Sequence, residues 1–151
     1  MSNNIDTRTH TAIHVLKGAL QKILGVKWTA SVYSSGSHGG ISVQFDRKPT
    51  EEELKNVESL SNEIIKQDLE IIIHETSKNE AEKKWGNVIY DLFPIPPEIT
   101  NLKIFDLPGW NINTCNKQHT KKTGEIGKII LQKTRFRAQK QLLEISFDII
   151  N

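Results

Sequence analysis

The chain has 151 residues, with 36% hydrophobic, 25% charged and a formal net charge of +2. That is an ordinary globular composition for one domain over 1–151, and no apolar run approaches the roughly 20 residues a membrane-spanning helix needs. The slight excess of positive charge does not by itself identify a nucleic-acid partner, because phosphate binding draws on clustered cations. The opening Met1-Ser2-Asn3-Asn4-Ile5-Asp6 lacks the basic-then-apolar layout of a secretory signal, which points to the cytoplasm. Cys115 is the only cysteine, so no internal disulfide can form. A lone thiol in a reducing compartment is a candidate ligand, nucleophile or core filler.

Residues 6–24 read as a helix. Ala12, Ile13, Leu16, Ala19, Leu20, Ile23 and Leu24 recur at helical spacing, Asp6 or Thr7 can cap the start, and Gly25 can end it. His10 and His14 lie one turn apart beside this apolar stripe, at the expected border of the core. Lys17 and Gln21 continue their face. Lys27 to Tyr33 and Ile41 to Phe45 alternate as the strands of a hairpin, joined by the glycine-rich tip Ser34 to Gly40. The tip's glycines would let backbone N–H groups approach a ligand, or they simply make a flexible connection. His38 reads as an ordinary loop histidine.

Pro49-Thr50-Glu51-Glu52-Glu53 opens a second helix, with Thr50 and Glu53 at capping-box spacing and Leu54, Val57, Leu60, Ile64 and Ile65 on the buried face. Leu69 to Glu75 reads as a strand whose β-branched content suggests a central position. His74 within it has no partner in the sequence and is given no role. Asn79 to Trp85 is a short helix ended by Gly86. Tyr90 to Pro97 is aromatic and proline-rich and cannot continue as helix beyond Phe93. Asp91, the only acid between Glu82 and Glu98, is either a turn residue or a group that orients a ligand or water, with the turn favoured. Leu102 to Phe105 is a strand, Pro108-Gly109 a turn, and Trp110 to Thr114 leads into Cys115. Ile129 to Arg137 and Leu142 to Ile149 form a closing hairpin. Its Lys133, Arg135, Arg137 and Lys140, with Phe136 interleaved, make the most nucleic-acid-like surface of the chain, or else an ordinary solvated face. The order of elements implies an α+β fold with a mostly antiparallel sheet packed with helices.

Cys115 and His119 repeat the spacing of His10 and His14. On a helix each pair would share one face. Together they make a His3Cys set, for which zinc is the best-suited metal. Pairs this far apart suit a site assembled on an existing core rather than a staple for a small fold. Four protein ligands would fill a tetrahedral ion, whereas catalysis needs an open position. The residues therefore leave open a catalytic centre, a non-catalytic zinc-bearing RNA-binding module, and a metal-free interaction domain.

Five stretches taken together resemble one family. They are Arg8-Thr9-His10-Thr11-Ala12-Ile13-His14, Phe45-Asp46-Arg47-Lys48-Pro49, Tyr90-Asp91-Leu92-Phe93-Pro94, Cys115 to His119, and Thr123-Gly124-Glu125-Ile126-Gly127. The family is AlaX, free-standing relatives of the editing domain of alanyl-tRNA synthetase, with kinship to the N-terminal editing domain of threonyl-tRNA synthetase. The resemblance covers nearly the whole chain. Most of the family has Gly-Gly-Thr between the cysteine and the last histidine. Here Asn116-Lys117-Gln118 stands there, as in the short archaeal form. The resemblance implies the editing-domain fold, zinc held by His10, His14, Cys115 and His119, and hydrolysis of the ester joining a wrong amino acid, serine first, to tRNA(Ala). A site that bonds the serine hydroxyl can disfavour alanine by roughly 10⁴-fold in the best cases. Zinc or a threonine, Thr29 or Thr11, could supply that bond, and Asp91 is a candidate for orienting a ligand or water. Lys117, Lys121, Lys122 and the basic residues of the closing hairpin would meet tRNA phosphates. No adenylate-forming or anticodon-binding module fits this length, so the implied activity is editing in trans. Binding of tRNA without catalysis is the alternative.

Overall fold

The computed structural model describes residues 4–151. Helix α1 (Ile5–Leu24) starts where the Asn4 side chain accepts the Thr7 N–H at 2.8 Å and ends at Gly25, which adopts the left-handed conformation with φ 73°. Its apolar stripe is buried as the spacing predicts, with Ala12, Val15, Leu16, Ala19 and Leu20 wholly inaccessible. It packs on a four-stranded antiparallel sheet in the order β1 (Thr29–Ser35), β2 (His38–Gln44), β7 (Leu142–Ile150), β6 (Lys128–Arg137). Ile41 and Val43 of β2 alternate into the same core as Leu143, Ile145, Phe147 and Ile149 of β7.

Helix α2 (Glu51–Lys66) opens on a complete capping box: Glu53 N–H donates to Thr50 Oγ1 at 3.1 Å, and Thr50 N–H donates to Glu53 Oε1 at 2.9 Å. Val57, Ile64 and Ile65 bury its apolar side. Its polar side serves the outer edge of β6. Asn62 accepts from Ile129 N–H at 2.8 Å and donates to Ile129 O at 2.9 Å, and Glu58 accepts from Leu131 N–H at 2.8 Å. Side chains thus satisfy backbone groups that would otherwise await another strand.

A second antiparallel sheet has the order β3 (Ile72–Ser77), β4 (Asn101–Leu107), β5 (Asn111–Thr114). Helix α3 (Lys78–Trp85), capped by Ser77, packs on it. Strand β4 divides its side chains between two cores. Leu102 and Ile104 join Ala81 and Ile89 in a small cluster, whereas Phe105 and Leu107 face the main one. The fold is therefore α+β, with every sheet pairing antiparallel.

Strand β3 departs from the expectation. It begins at Ile72 and lies at the edge of its sheet, not the centre, leaving Ile72 and Ile73 41% and 42% exposed. The preceding Ile71 is the residue that reaches the core. The glycine-rich tip is also shorter than predicted, since β1 runs to Ser35 and β2 starts at His38. His38 is a strand residue whose Nδ1 lies 2.9 Å from Asp148 Oδ1, and His74 pairs with Asp106 at the same distance. Gly39 and Gly40 serve packing: a Cβ on either would collide with the ring of Phe147 or Tyr33. Among the described residues no helix is long and apolar enough to cross a membrane.

Candidate metal centre and its cavity

Helix α1 brings His10 and His14 to one face, and β5 delivers the chain into the segment that carries Cys115 and His119. One ligand atom from each of the four lies within 4.8 Å of the others. His10 Nε2 is 3.2 Å from Cys115 Sγ, which is 3.5 Å from His119 Nε2. The helical geometry expected of both pairs holds only for the first. Residues 115–119 are irregular, and the chain turns there to bring its two ligands round. Three anchors hold this loop. Thr120 N–H donates to Thr11 Oγ1 at 2.9 Å, Cys115 N–H donates to Lys103 O at 2.9 Å, and Ile71 N–H donates to Lys121 O at 2.9 Å. Phe105 stacks on His14 with ring centroids 3.9 Å apart and meets His119 edge-on.

The histidines are deeper than a border position, with His10 and His14 only 9% and 5% exposed. His14 Nδ1 lies 3.0 Å from Asn111 Oδ1. An amide oxygen can only accept, so Nδ1 carries the proton and Nε2 keeps its lone pair. That Nε2 is buried and has no partner among the described residues, as is His119 Nδ1. Burial holds the imidazoles neutral. His10 is lowered to about 4, with the charge of Lys117 adding to the effect, and His119 to about 3, with His10 and Lys103 adding. His14 lies well below its ordinary value for the same first reason, reinforced by His119. Burial pushes the Cys115 thiol up, a cost that a cation beside the sulfur would reverse. Three neutral imidazoles, one thiol and a buried lone pair without a donor form a set able to hold a metal ion.

His10, His14 and Cys115 line a cavity of about 420 Å³. Thr29, on β1, lines it too. Its Oγ1 is buried and has no partner among the described residues. Asp91 is not a mere turn residue. It lines the cavity and accepts from Lys17 Nζ at 3.2 Å and from Asn113 Nδ2 at 3.1 Å. Thr11 is not brought to the cavity. Its hydroxyl donates to Thr7 O at 2.8 Å and accepts from Thr120, so it fastens the ligand loop to α1.

Of the basic candidates only Lys117 lines the cavity. Lys121 and Lys122 are exposed on the same segment, while Lys133, Arg135 and Lys140 are exposed on the closing hairpin. Arg137 is tied to Glu144 at 2.8 Å, and Phe136 packs against the main core instead of offering a stacking surface. Sequence reasoning passed over Asn111 and Asn113. Their signal is the alternation Asn-Ile-Asn-Thr on β5, which turns both amides inward while Ile112 packs against the small cluster. Lys17 was placed on the face of His10 and His14, three residues beyond His14, but was given no role.

No protein-family model matches the chain. Its sequence is similar to alanine–tRNA ligases of archaea. The match to that of Methanopyrus kandleri is 35% identical over 124 residues, covering 82% of this chain and 13% of the ligase. That to the Pyrobaculum neutrophilum ligase is 35% identical over 129 residues, covering 83% and 14%. The Cenarchaeum symbiosum ligase is 29% identical over 142 residues, covering 93% and 16%. The chain spans only about 13–16% of the length of these relatives. It is a homologue of one segment of the archaeal alanine–tRNA ligases, the kinship that its AlaX-like motifs imply.

Proposed function

We propose that this chain is a zinc-dependent aminoacyl-tRNA deacylase. It hydrolyses the ester of serine wrongly joined to tRNA(Ala) and acts in the cytoplasm. The observation that carries this reading is the convergence of His10, His14, Cys115 and His119. Three of them, His10, His14 and Cys115, line a cavity that Thr29 also lines, its buried hydroxyl without a partner among the described residues. Zinc, when bound, supplies a Lewis acid for the ester reaction. Thr29 bonds the serine hydroxyl. Alanine leaves that buried oxygen unpaired, which costs about 1–3 kcal/mol and gives discrimination the right sign. Asp91, fixed by Lys17 and Asn113, orients the ligand. Lys117 at the cavity, then Lys121 and Lys122, meet backbone phosphates of the acceptor end. Lys133, Arg135, Arg137 and Lys140 form a second cationic group for the tRNA body.

The test is a deacylation assay on Ser-, Gly- and Ala-tRNA(Ala), with zinc measured on the same preparation. Serine release with alanine spared is expected, and Cys115→Ala should lose both zinc and activity. Full activity in a zinc-free Cys115→Ala, His14→Ala protein would overturn the reading. Four protein ligands filling the ion favour one other reading, a zinc-bearing module that binds tRNA without cleaving it. Salt-dependent tRNA binding with no ester cleavage at any protein concentration would establish that one instead.

A further inference from the structure

Lys17 is 4% exposed, on the face of α1 that carries His10 and His14, and it lines the same cavity as those ligands. Its Nζ donates to Asp91 Oδ1 at 3.2 Å and to Asn113 Oδ1. Asn113 is itself held, since its Nδ2 donates to Asp91 Oδ1 and to Thr114 O, each at 3.1 Å. The three side chains therefore close on one another and fix the ammonium. An ammonium has three N–H donors. Two are used here, and the third has no partner among the described residues. Burial pushes the lysine down and Asp91 pulls it up. Removing a cation from water is costly, and a methionine of similar length would fill the space without that cost. What methionine cannot supply is an oriented positive donor in the wall of a reaction cavity.

We propose that Lys17 is a catalytic residue of the ester hydrolysis, donating its remaining N–H to the scissile carbonyl oxygen as that oxygen becomes negative. The inference rests on the deacylase reading above. Water adds to the carbonyl carbon, and the π pair of the C=O bond moves to the oxygen facing Lys17. When the adduct collapses, that pair re-forms C=O and the bond to the ribose oxygen breaks. The ribose oxygen keeps the bonding pair and takes one proton of the water; the other leaves with ionisation of the acid. The products are a tRNA 3′-terminal hydroxyl and the free amino acid, whose new carboxylate then faces the same ammonium. A preorganised donor of this kind acts where charge develops and barely affects the neutral ester.

Single-turnover and steady-state kinetics on Ser-tRNA(Ala) test this, comparing wild type with Lys17→Met at equal zinc content. A fall in kcat of about 10²–10³-fold with KM within a few-fold is expected, the pattern of an interaction made only in the transition state. A structural role would change stability and leave that split unmoved. A second measurement needs no turnover and no variant. Zinc-loaded wild-type protein is titrated with L-serine and with L-serinamide, which lacks the carboxylate, by NMR. Serine should bind at least tenfold more tightly. Equal affinities, or an unchanged kcat in an active Lys17→Met protein, would overturn the role of Lys17 while leaving the deacylase reading intact. A wild-type protein that cleaves no aminoacyl-tRNA would remove both.

Discussion

Asn111 determines which nitrogen of His14 faces the candidate ion, because its amide oxygen takes the Nδ1 proton. Asn111→Ala should keep the fold and weaken metal binding about 10–100-fold, as measured by competition with a chromogenic chelator. Thr29 has a buried hydroxyl with no described partner, so Thr29→Val should cost little stability in a urea titration. If the hydroxyl bonds serine, kcat/KM for Ser-tRNA(Ala) should still fall about 10–100-fold. The histidines set a pH dependence whose sign is fixed. In the unfolded chain they titrate near 6.5, whereas in the folded metal-free protein His10 waits until about 4 and His119 until about 3. The unfolded state thus binds more protons across that window, and stability falls as pH drops from 6.5 towards 3–4. Urea titrations of metal-free protein should give an unfolding free energy lower at pH 5 than at pH 7, by on the order of 1–2 kcal/mol for each of these imidazoles. The cluster of four metal-capable side chains was legible because their type and spacing are rare in combination. Thr29 and Thr11 could not be ranked, because a sequence does not say which hydroxyl is already bonded.

Two elements meet at the site, one regular and one not. Helix α1 was readable almost to the residue because its apolar period and terminal glycine agree, but its cap was misplaced: Asn4, not Asp6 or Thr7, caps the start, and Asp6 and Thr7 lie within the first turn. The loop carrying Cys115 and His119 was not, since its shape comes from contacts with distant residues rather than from its own composition. Thr11 is the clearest of these contacts. It was read as a candidate for substrate, yet its oxygen joins the loop to the helix through the Thr120 N–H. Thr11→Val would leave that buried N–H without an acceptor, at a cost of about 1–3 kcal/mol. Metal affinity should fall with stability, because Cys115 and His119 ride on the released loop. Thr11→Ser should restore both in parallel chelator and urea titrations, which a role confined to substrate would not predict. Strand β3 shows the converse error. Its β-branched run suggested a central strand, but hydrophobicity does not encode how many neighbours a strand has, and the run pairs on one side only.

At the scale of the whole molecule, the candidate ion would join the start of the chain to residues more than a hundred positions on. The antiparallel α+β character was legible from the order of elements. The division into two sheets was not, because it depends on β4 facing both cores, and a strand of alternating apolar residues reads the same with one core or two. That division bears on what metal removal should do. The main core draws Leu16 and Leu20 from α1, Ile41 and Val43 from β2, and Phe147 from β7, all 0–2% exposed and buried by one another rather than by the candidate metal site. In a zinc finger, by contrast, the metal replaces the core and its loss unfolds the chain. Here chelation should leave far-UV circular dichroism and cooperative unfolding in place and lower Tm. Binding raises stability by RT ln(1 + [metal]/Kd), about 2.7 kcal/mol at 100-fold excess over Kd, and that contribution alone would be lost. The Cys115→Ala protein should then melt at a temperature that no longer responds to added zinc. Unfolding of the chelated wild-type protein would show instead that the ion is a structural staple, and that the apolar core cannot hold the fold by itself.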